Sequence, residues 1–389
     1  MSSVFRKLSW LGRRRQKEAE LREKLEFHLE EEAEERRADG LTEEEAGYAA
    51  RRDLGNYTLV QEDTQAAWGW TLLEQFIRDV RYAFRSLRNS PLFTAVAMLT
   101  LALGIGANTA IFSLMDQVLL QSLPVQHPEQ LVLVAERGVR FGSSWGENDI
   151  SYPMYRDFRD GNQVFSGMFC RFPVSISLGY GDRTERVSAE LVSGSYFPIL
   201  GVTAIIGRTL TPDDDRVPGG HPVAMLSHSF WQSRFSSDPS IVGRQIVANG
   251  YTFTVIGVSR AGFDGLELGY KSKVFVPMMM KAQMTPRSGG PSGGLEERSL
   301  SWVTAFGRLK PGISIAQASA SLQPLMHSIL EVEVQEPTLQ HYSDYDREQF
   351  LKNSVDLLPG SQGWSSLREH MQTPLWVLAA LSCAVLLLA

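Results

Sequence analysis

From Asn89 to Met115 the chain carries no charged side chain, in the middle of an otherwise mixed sequence. At about 1.5 Å per helical residue, Pro91 to Met115 reaches about 37 Å, enough to cross a hydrocarbon core of about 30 Å with some tilt. Core helices of soluble proteins rarely stay apolar beyond about 14 residues, so a transmembrane helix is expected over 91–118. A second apolar run, 374–389, is shorter than the roughly 20 residues a span needs. It reads as a truncated second transmembrane helix of a larger polytopic protein, or as a short tail docked on the domain.

Arg78, Arg81, Arg85 and Arg88 precede the first span, and no Lys or Arg follows it until Arg137. The positive-inside bias then puts the N-terminus in the cytoplasm and the residues after the span outside, in the periplasm of a bacterium with two membranes. Residues 1–11 lack an apolar core, so the span itself is expected to serve as signal anchor. A hydrophobic fraction of 43% is ordinary for a globular chain, so the membrane part is a minority of the mass. The net charge of −6 argues against a nucleic-acid surface. Cys170 is expected outside and Cys383 within the second span, which leaves no disulfide framework.

Before the span, residues 17–37 form a highly charged helical stretch with Leu21, Leu25 and Leu29 on one narrow stripe. Asp39-Gly40 ends it. Thr42 and Glu45 have capping-box spacing for a second helix, whose cap falls at Gly55 or Asn56. This helical prefix (1–70) is either a docking module or a solvated appendage. In the amphipathic segment 71–90, Leu73, Phe76, Ile77, Val80, Phe84 and Leu87 share one face, while Arg78, Arg81, Arg85 and Arg88 lie largely on the other. That pattern suits a helix lying in the membrane interface, an elbow able to carry force to the span; a packed globular helix shows a similar pattern. Within the span, Ala102, Gly106 and Ala110 are small residues four apart that permit close helix approach, and Asn108 needs a hydrogen-bond partner in hydrocarbon. Either a static packing seam or a contact that shifts fits them.

The segment 119–372 alternates strand-like runs with short helices. Asn249-Gly250 between two β-rich runs predicts a hairpin over 244–257. Further strands are expected at 131–135, 187–191, 223–226, 274–277 and 302–309, and helices at 152–159, 229–235 and 314–332, the last after the Pro311-Gly312 turn. Residues 284–294 read as a flexible loop. The class is α+β.

Several motifs carry a resemblance. Gly104-Ile-Gly-Ala-Asn-Thr-Ala-Ile-Phe112, Ala189-Glu-Leu-Val-Ser-Gly-Ser-Tyr-Phe-Pro-Ile-Leu-Gly-Val202, Gly207-Arg208 with Asp213-Asp214, Ile241-Val-Gly-Arg244 and Gly307-Arg-Leu-Lys-Pro-Gly312 resemble the MacB-like periplasmic core domain. Leu25-Glu-Phe-His-Leu-Glu30 and Arg51-Arg-Asp-Leu-Gly55 resemble the prefix of the acidobacterial duplicated orphan permeases (ADOP). The resemblance covers nearly the whole chain. It implies an inner-membrane permease of a MacB/FtsX-type ABC transporter, without catalytic residues of its own, paired with an ABC ATPase subunit and often forming a homodimer or, through a duplicated module, a pseudo-dimer. The family has at least four spans, more than this sequence contains.

The residues themselves argue against most chemistry. No Gly-x-x-x-x-Gly-Lys-Ser/Thr loop is present, so the expectation is no cofactor in this chain, with ATP on a partner subunit. Gly142-Ser-Ser144-Trp-Gly146 matches a nucleophile elbow, but its flanks are loop-like. The seven histidines lack metal-ligand spacing. Asp213-Asp214-Asp215 reads as a solvated turn, and the sequon at Asn56 falls on the cytoplasmic side. The function expected is coupling of ATP hydrolysis on the partner to periplasmic export, extraction or mechanotransmission. Its rivals are a membrane-anchored periplasmic binding or sensor module and an anchored hydrolase acting through Ser144.

Overall fold

The computed structural model describes residues 14–38, 40, 42–54, 71–181, 183–267, 269–286, 294–337 and 339–388. The expected cap at Gly55 or Asn56, the Asn56 sequon, the side chains of Leu21 and Leu25, and residues 287–293 of the glycine-rich loop lie outside them. The chain divides into two units, with the boundary between Leu101 and Ala102, inside the long apolar helix.

In the first unit, α1 (Arg14–Ala38) and α2 (Glu43–Leu54) pack as a helical hairpin. Gly40, at φ +98°, turns the chain between them. Glu45 reaches back to the Thr42 amide at 3.3 Å and its hydroxyl at 2.7 Å, one arm of the expected capping box. Ala46 and Ala50, one turn apart, are buried. Next come α3 (Thr71–Asn89) and α4 (Pro91–Met115). Ser90 breaks the run between them, and Pro91 opens α4 at the position where a missing N–H costs nothing.

In the second unit, a π-helical turn (Asp116–Leu120) ends α4. The elements that follow are β1 (Leu131–Arg137), β2 (Ser143–Ser144), β3 (Ile150–Ser151), α5 (Tyr152–Gly161), β4 (Phe165–Tyr180), β5 (Arg183–Val192), α6 (Tyr196–Leu200), β6 (Ala204–Gly207), β7 (Val223–Leu226) and α7 (His228–Phe235). They continue with β8 (Gln245–Ala248), β9 (Tyr251–Ser259), β10 (Val274–Pro277), α8 (Lys281–Met284), β11 (Leu300–Leu309), α9 (Ile315–Glu333), α10 (Asp344–Phe350), β12 (Ser354–Pro359) and α11 (Ser366–Leu388). Among the described residues the strands form one mixed sheet, in the order β12-β1-β11-β4-β5-β10-β7-β9-β6, with β2 and β3 on β11 and β8 bridging β4 and β9.

Both faces of this sheet are covered, so its inner strands read as continuous apolar runs rather than alternating ones. In β1, Val132 and Val134 join a core with Ala318, Leu322 and Met326 of α9 and Phe158 of α5. Leu131 and Leu133 turn to the opposite face, where Phe169, Tyr196, Phe197, Phe263, Phe275 and Phe306 form an aromatic cluster. Phe169 stacks on Phe306 with ring centroids 5.2 Å apart.

The strands expected from sequence are present, several longer than expected. The hairpin turns as its residues require, with Asn249 at φ +51° and Gly250 at φ +88°. α9 starts at a capping box in which Ser314 and Gln317 bond reciprocally. The 16-residue β4 was not anticipated. Pro173 sits inside it, at a position that normally demotes a strand. The fold accommodates it because β11 pairs β4 only as far as Arg171, and the hairpin bonds β4 from Ser177 onward. The missing N–H of Pro173 falls in the interval between them.

Asn249 does more than turn the chain. Its Oδ1 accepts from the Ser177 amide and its Nδ2 donates to the Met284 carbonyl, each at 2.9 Å, tying the hairpin to β4 and α8. Gly250 has open space where a Cβ would go, so Gly250→Ala is expected to cost only the backbone penalty, about 1–2 kcal/mol. Asn249→Ala should cost more, about 2–3 kcal/mol, because it leaves two backbone groups unpaired. Urea unfolding of the two variants checks the order; the reverse order refutes the tether.

Candidate functional site

From Phe76 to Ser90 every side chain is exposed, apolar and basic alike, and Phe76, Arg78, Arg81, Arg85 and Arg88 are all among them. Both faces of α3 are thus open. Among the described residues, α4 is the one helix long and apolar enough to cross a membrane. Two of its hydroxyls are satisfied within the helix: Thr100 donates to the Val96 carbonyl at 2.9 Å and Thr109 to that of Ile105 at 2.8 Å.

The residues singled out in α4 fall on two faces. Asn108 lies about 200° around the helix from Gly106. It meets α11, where the Cys383 thiol contacts its Oδ1 at 3.9 Å. Below it, Ile111, Met115 and Leu119 pack against Leu375 and Ala379 of α11. Ala102, Gly106 and Ala110 face away and are exposed, and a Cβ at Gly106 would meet nothing within 4 Å. The structure therefore brings Asn108 to a second helix and leaves the small-residue stripe open. Regular helix runs back from that second apolar segment to Ser366, ahead of Pro374.

Ser144 is not set up as a nucleophile. It lies in the two-residue β2, its hydroxyl donates to the Gly146 carbonyl at 2.7 Å, and Arg140 donates to it at 2.9 Å. Gly142 is required for another reason: at φ +88°, a Cβ there would lie 2.1 Å from the Ser299 carbonyl oxygen, so the glycine permits β2 to approach the strand beside it.

The aspartate triplet differs from the solvated turn expected of it. Only Asp213 is exposed. Burial alone would raise the Asp214 carboxyl, but bidentate bonds from Arg208 at 2.6 and 2.8 Å and a bond from the Thr211 amide hold it below its usual range. Asp215 accepts from the amides of Gly194 at 3.0 Å and Met279 at 2.8 Å, and burial pushes it up to about 7. Two of the three carboxylates are staples between loops. Among the described residues, no group of three or more His, Cys, Asp or Glu side chains converges as a metal site.

The charged groups that sequence reasoning missed are buried. Arg171 and Glu190 each have 1% of their side-chain surface exposed, with Arg171 Nε 2.5 Å from Glu190 Oε1 and Nη2 2.6 Å from Glu267 Oε2. Ser272 donates to Glu190 at 2.7 Å. Burial pushes the Glu190 carboxyl up, and the guanidinium and the Ser272 hydroxyl pull it back. This cluster stands on the aromatic face of the sheet, where Arg171 follows Phe169 on the same side of β4.

A second group surrounds a cavity of about 20 Å³, lined by Glu136, Arg140, Arg298 and Glu333. Asn353 Nδ2 donates to Glu136 at 2.7 Å, and Arg298 bonds Asp157 at 2.7 Å and Glu333 at 3.2 Å. Burial, reinforced by the Glu136 charge and opposed by Arg298, pushes Glu333 up to about 8. No sequence signal marks either group, because the partners come from distant elements.

Among the described residues, a helix long and apolar enough to span a bilayer leads into a large α+β domain built on one sheet covered on both faces. Residues 94–325 match the MacB-like periplasmic core domain, and the chain belongs to that family, the family of MacB/FtsX-type ABC permease components. Membership implies an inner-membrane protein with a periplasmic domain. Among solved structures, the chain is similar to a domain assigned to a permease protein from Porphyromonas gingivalis (15% identity, TM-score 0.40, covering 60% of this chain and 91% of that one). It is also similar to the periplasmic region of MacB from Actinobacillus actinomycetemcomitans (13%, TM-score 0.39, covering 64% and 92%). A third is the extracellular domain of the noncanonic ABC-type transporter YknZ from Gram-positive bacteria (12%, TM-score 0.39, covering 59% and 99%). No curated protein matches the sequence.

Two predictions test the buried charges. Arg171→Met strands Glu190 without a counter-charge and is expected to cost about 3–5 kcal/mol in urea unfolding, with partial recovery when Glu190→Gln is added. Wild-type stability of the single variant rules the cluster out as a determinant. For Glu333, the unfolded carboxyl loses its proton near 4.5 while the folded one holds it to about 8, so stability falls as pH rises across that window. Glu333→Gln should therefore flatten the decline in melting temperature between about pH 5 and about pH 8. An unchanged slope contradicts the assignment.

Proposed function

We propose that this chain is a non-catalytic permease subunit of a MacB/FtsX-type ABC system, coupled to ATP bound and hydrolysed by a partner ATPase. The observation that carries the reading is the family match from Thr94 in the apolar helix to Leu325 within α9, which joins span and domain in one unit of descent. In this reading the helical hairpin and the arginine-bearing α3 are cytoplasmic. α3 lies in the interface with Arg78, Arg81, Arg85 and Arg88 toward anionic headgroups and its Phe76 side in the acyl region. The domain after α4 is periplasmic. Motion of the ATPase is passed through α3 to α4, and the sheet domain converts it into export, extraction or mechanical signalling. Gly106 and its alanine neighbours supply the face on which α4 meets another span, in a second copy or in a duplicated module of the ADOP type.

The test is co-expression with an ABC ATPase of the MacB/FtsX type. Co-purification in detergent and stimulation of ATP hydrolysis by the permease chain are the expected results. Alkaline phosphatase fused after Gln130 should be active, as befits a periplasmic position, and Arg78→Glu with Arg81→Glu should uncouple stimulation while leaving the core domain folded. Absence of any association with an ATPase, or a fusion after Gln130 that behaves as cytosolic, sinks the reading.

A further inference from the structure

A cleft of about 710 Å³ opens in the middle of the sheet. Its position follows from the strand ladder. β11 leaves β4 after the Thr304–Arg171 pair and gives its first residues to β2 and β3. β8 rejoins β4 only at Leu178 and Gly179. Between those points β4 keeps β5 on one side and, among the described residues, no strand on the other.

The direction of the backbone groups there follows from alternation. Cys170 bonds Ser193 beyond the end of β5, whereas Ser177 bonds Asn249 on the opposite side. Successive residues of a strand point their N–H and C=O to alternate neighbours. The Ser175 N–H and C=O and the Pro173 C=O therefore face the cleft, where no described residue bonds them. The open edge from Phe172 to Ile176 is roughly 14 Å long, at about 3.4 Å per residue, and closes where Ser177 is bonded to Asn249.

The walls of the cleft are apolar and cationic. Trp145, 62% exposed, stands edge-on to Phe172 with centroids 5.5 Å apart. Arg186 lines the cleft, opposite Ser177 in the β4–β5 ladder, and makes no ion pair among the described residues. Beneath, Lys281 is 2% exposed, with Nζ 4.5 Å from the Trp302 ring centroid and 4.9 Å from that of Phe172. It donates to Thr285 Oγ1 at 2.9 Å, and Thr285 lines the cleft. Burial alone pushes Lys281 down to about 8. No Asp or Glu among the described residues lines the cleft. Arg186, a cation with no acidic residue among the described lining, favours an anionic occupant, and an unpaired strand edge favours one that brings its own main chain.

We propose that the cleft docks an extended segment of a partner protein, which adds to β4 as a short strand and presents an Asp or Glu side chain to Arg186. Ser175 and Ser177 are small enough to let that strand approach, and Trp145 with Phe172 gives it an apolar wall. This docking does not depend on coupling to an ATPase, so its failure leaves the permease reading standing.

The test uses the full chain in lipid nanodiscs, panned against a phage library of random nonapeptides. The recovered peptides are then synthesised and their binding measured by fluorescence anisotropy. Peptides that alternate β-branched residues with Asp or Glu should be recovered. Methylating the alternate amides that face β4 should weaken binding by about tenfold or more, as should Arg186→Glu, a change at an exposed position. Hydrogen exchange at the Ser175 amide should slow when peptide is bound. Failure to enrich peptides over empty nanodiscs, recovery of peptides without acidic residues, or affinity indifferent to amide methylation and to Arg186→Glu each overturn the proposal.

Discussion

A guanidinium that water cannot reach fixes how the middle of the sheet is assembled. Arg171 lies in β4 at the last residue paired with β11, held by Glu190 of β5 and by Glu267 from the loop before β10. A slip of one residue between β4 and its neighbours would carry every side chain to the opposite face. Arg171 would then enter the apolar core beneath α5 and α9, with its carboxylates left behind. Such a pair contributes little net stability over a hydrophobic replacement, but it makes the wrong register expensive. The aromatic cluster around Phe169 and Phe306 depends on that register, because the two rings stack only when Phe169 pairs with Phe306 across the ladder.

What the sequence made legible was local. Asn249-Gly250, the Pro311-Gly312 turn and the uncharged run before Asp116 each declare their structure within a few residues, since positive φ, a turn dipeptide and a lack of charge act at short range. β4 stayed hidden because Pro173 argues against a strand unless the neighbour on its N–H side is known to be missing. The alternation Val174-Ser-Ile-Ser-Leu178 was a readable signal, masked by the continuous burial of the residues before it. Arg171 and Glu267 are 96 residues apart, a separation at which charge pairing leaves no pattern in one sequence. The same applies to the two glutamates around the small cavity and to Asp215, whose amide partners lie 21 and 64 residues away; Asp214 looked like part of a solvated run of acid although its partners, Arg208 and Thr211, are near in sequence.

The membrane segment shows a different division. Composition identified α4, yet could not tell which of its faces meets a second helix. Asn108, Ile111 and Met115 fall on the side that packs against α11, because one thiol and a few apolar side chains of α11 are placed to receive them. The small-residue stripe at Ala102, Gly106 and Ala110 is left open. In hydrocarbon, apolar surface alone gives no drive to association, so an open stripe of small residues offers packing contacts that no described residue fills.

The gap in the sheet belongs to the same logic of neighbours. A long bare strand edge invites uncontrolled pairing, and proteins blunt such edges with proline, charge or brevity. Here Pro173 removes one donor, Ser177 is already bonded to Asn249, and Arg186 supplies charge at the far end. What remains is one residue, Ser175, offering both an N–H and a C=O, flanked by the Pro173 carbonyl. That is too little to nucleate sheet-to-sheet association and enough to register a short strand whose side chains match the walls. Arg171 and Asn249 mark the two ends of the opening, so the contacts that fix the register of the sheet also fix the length of the site.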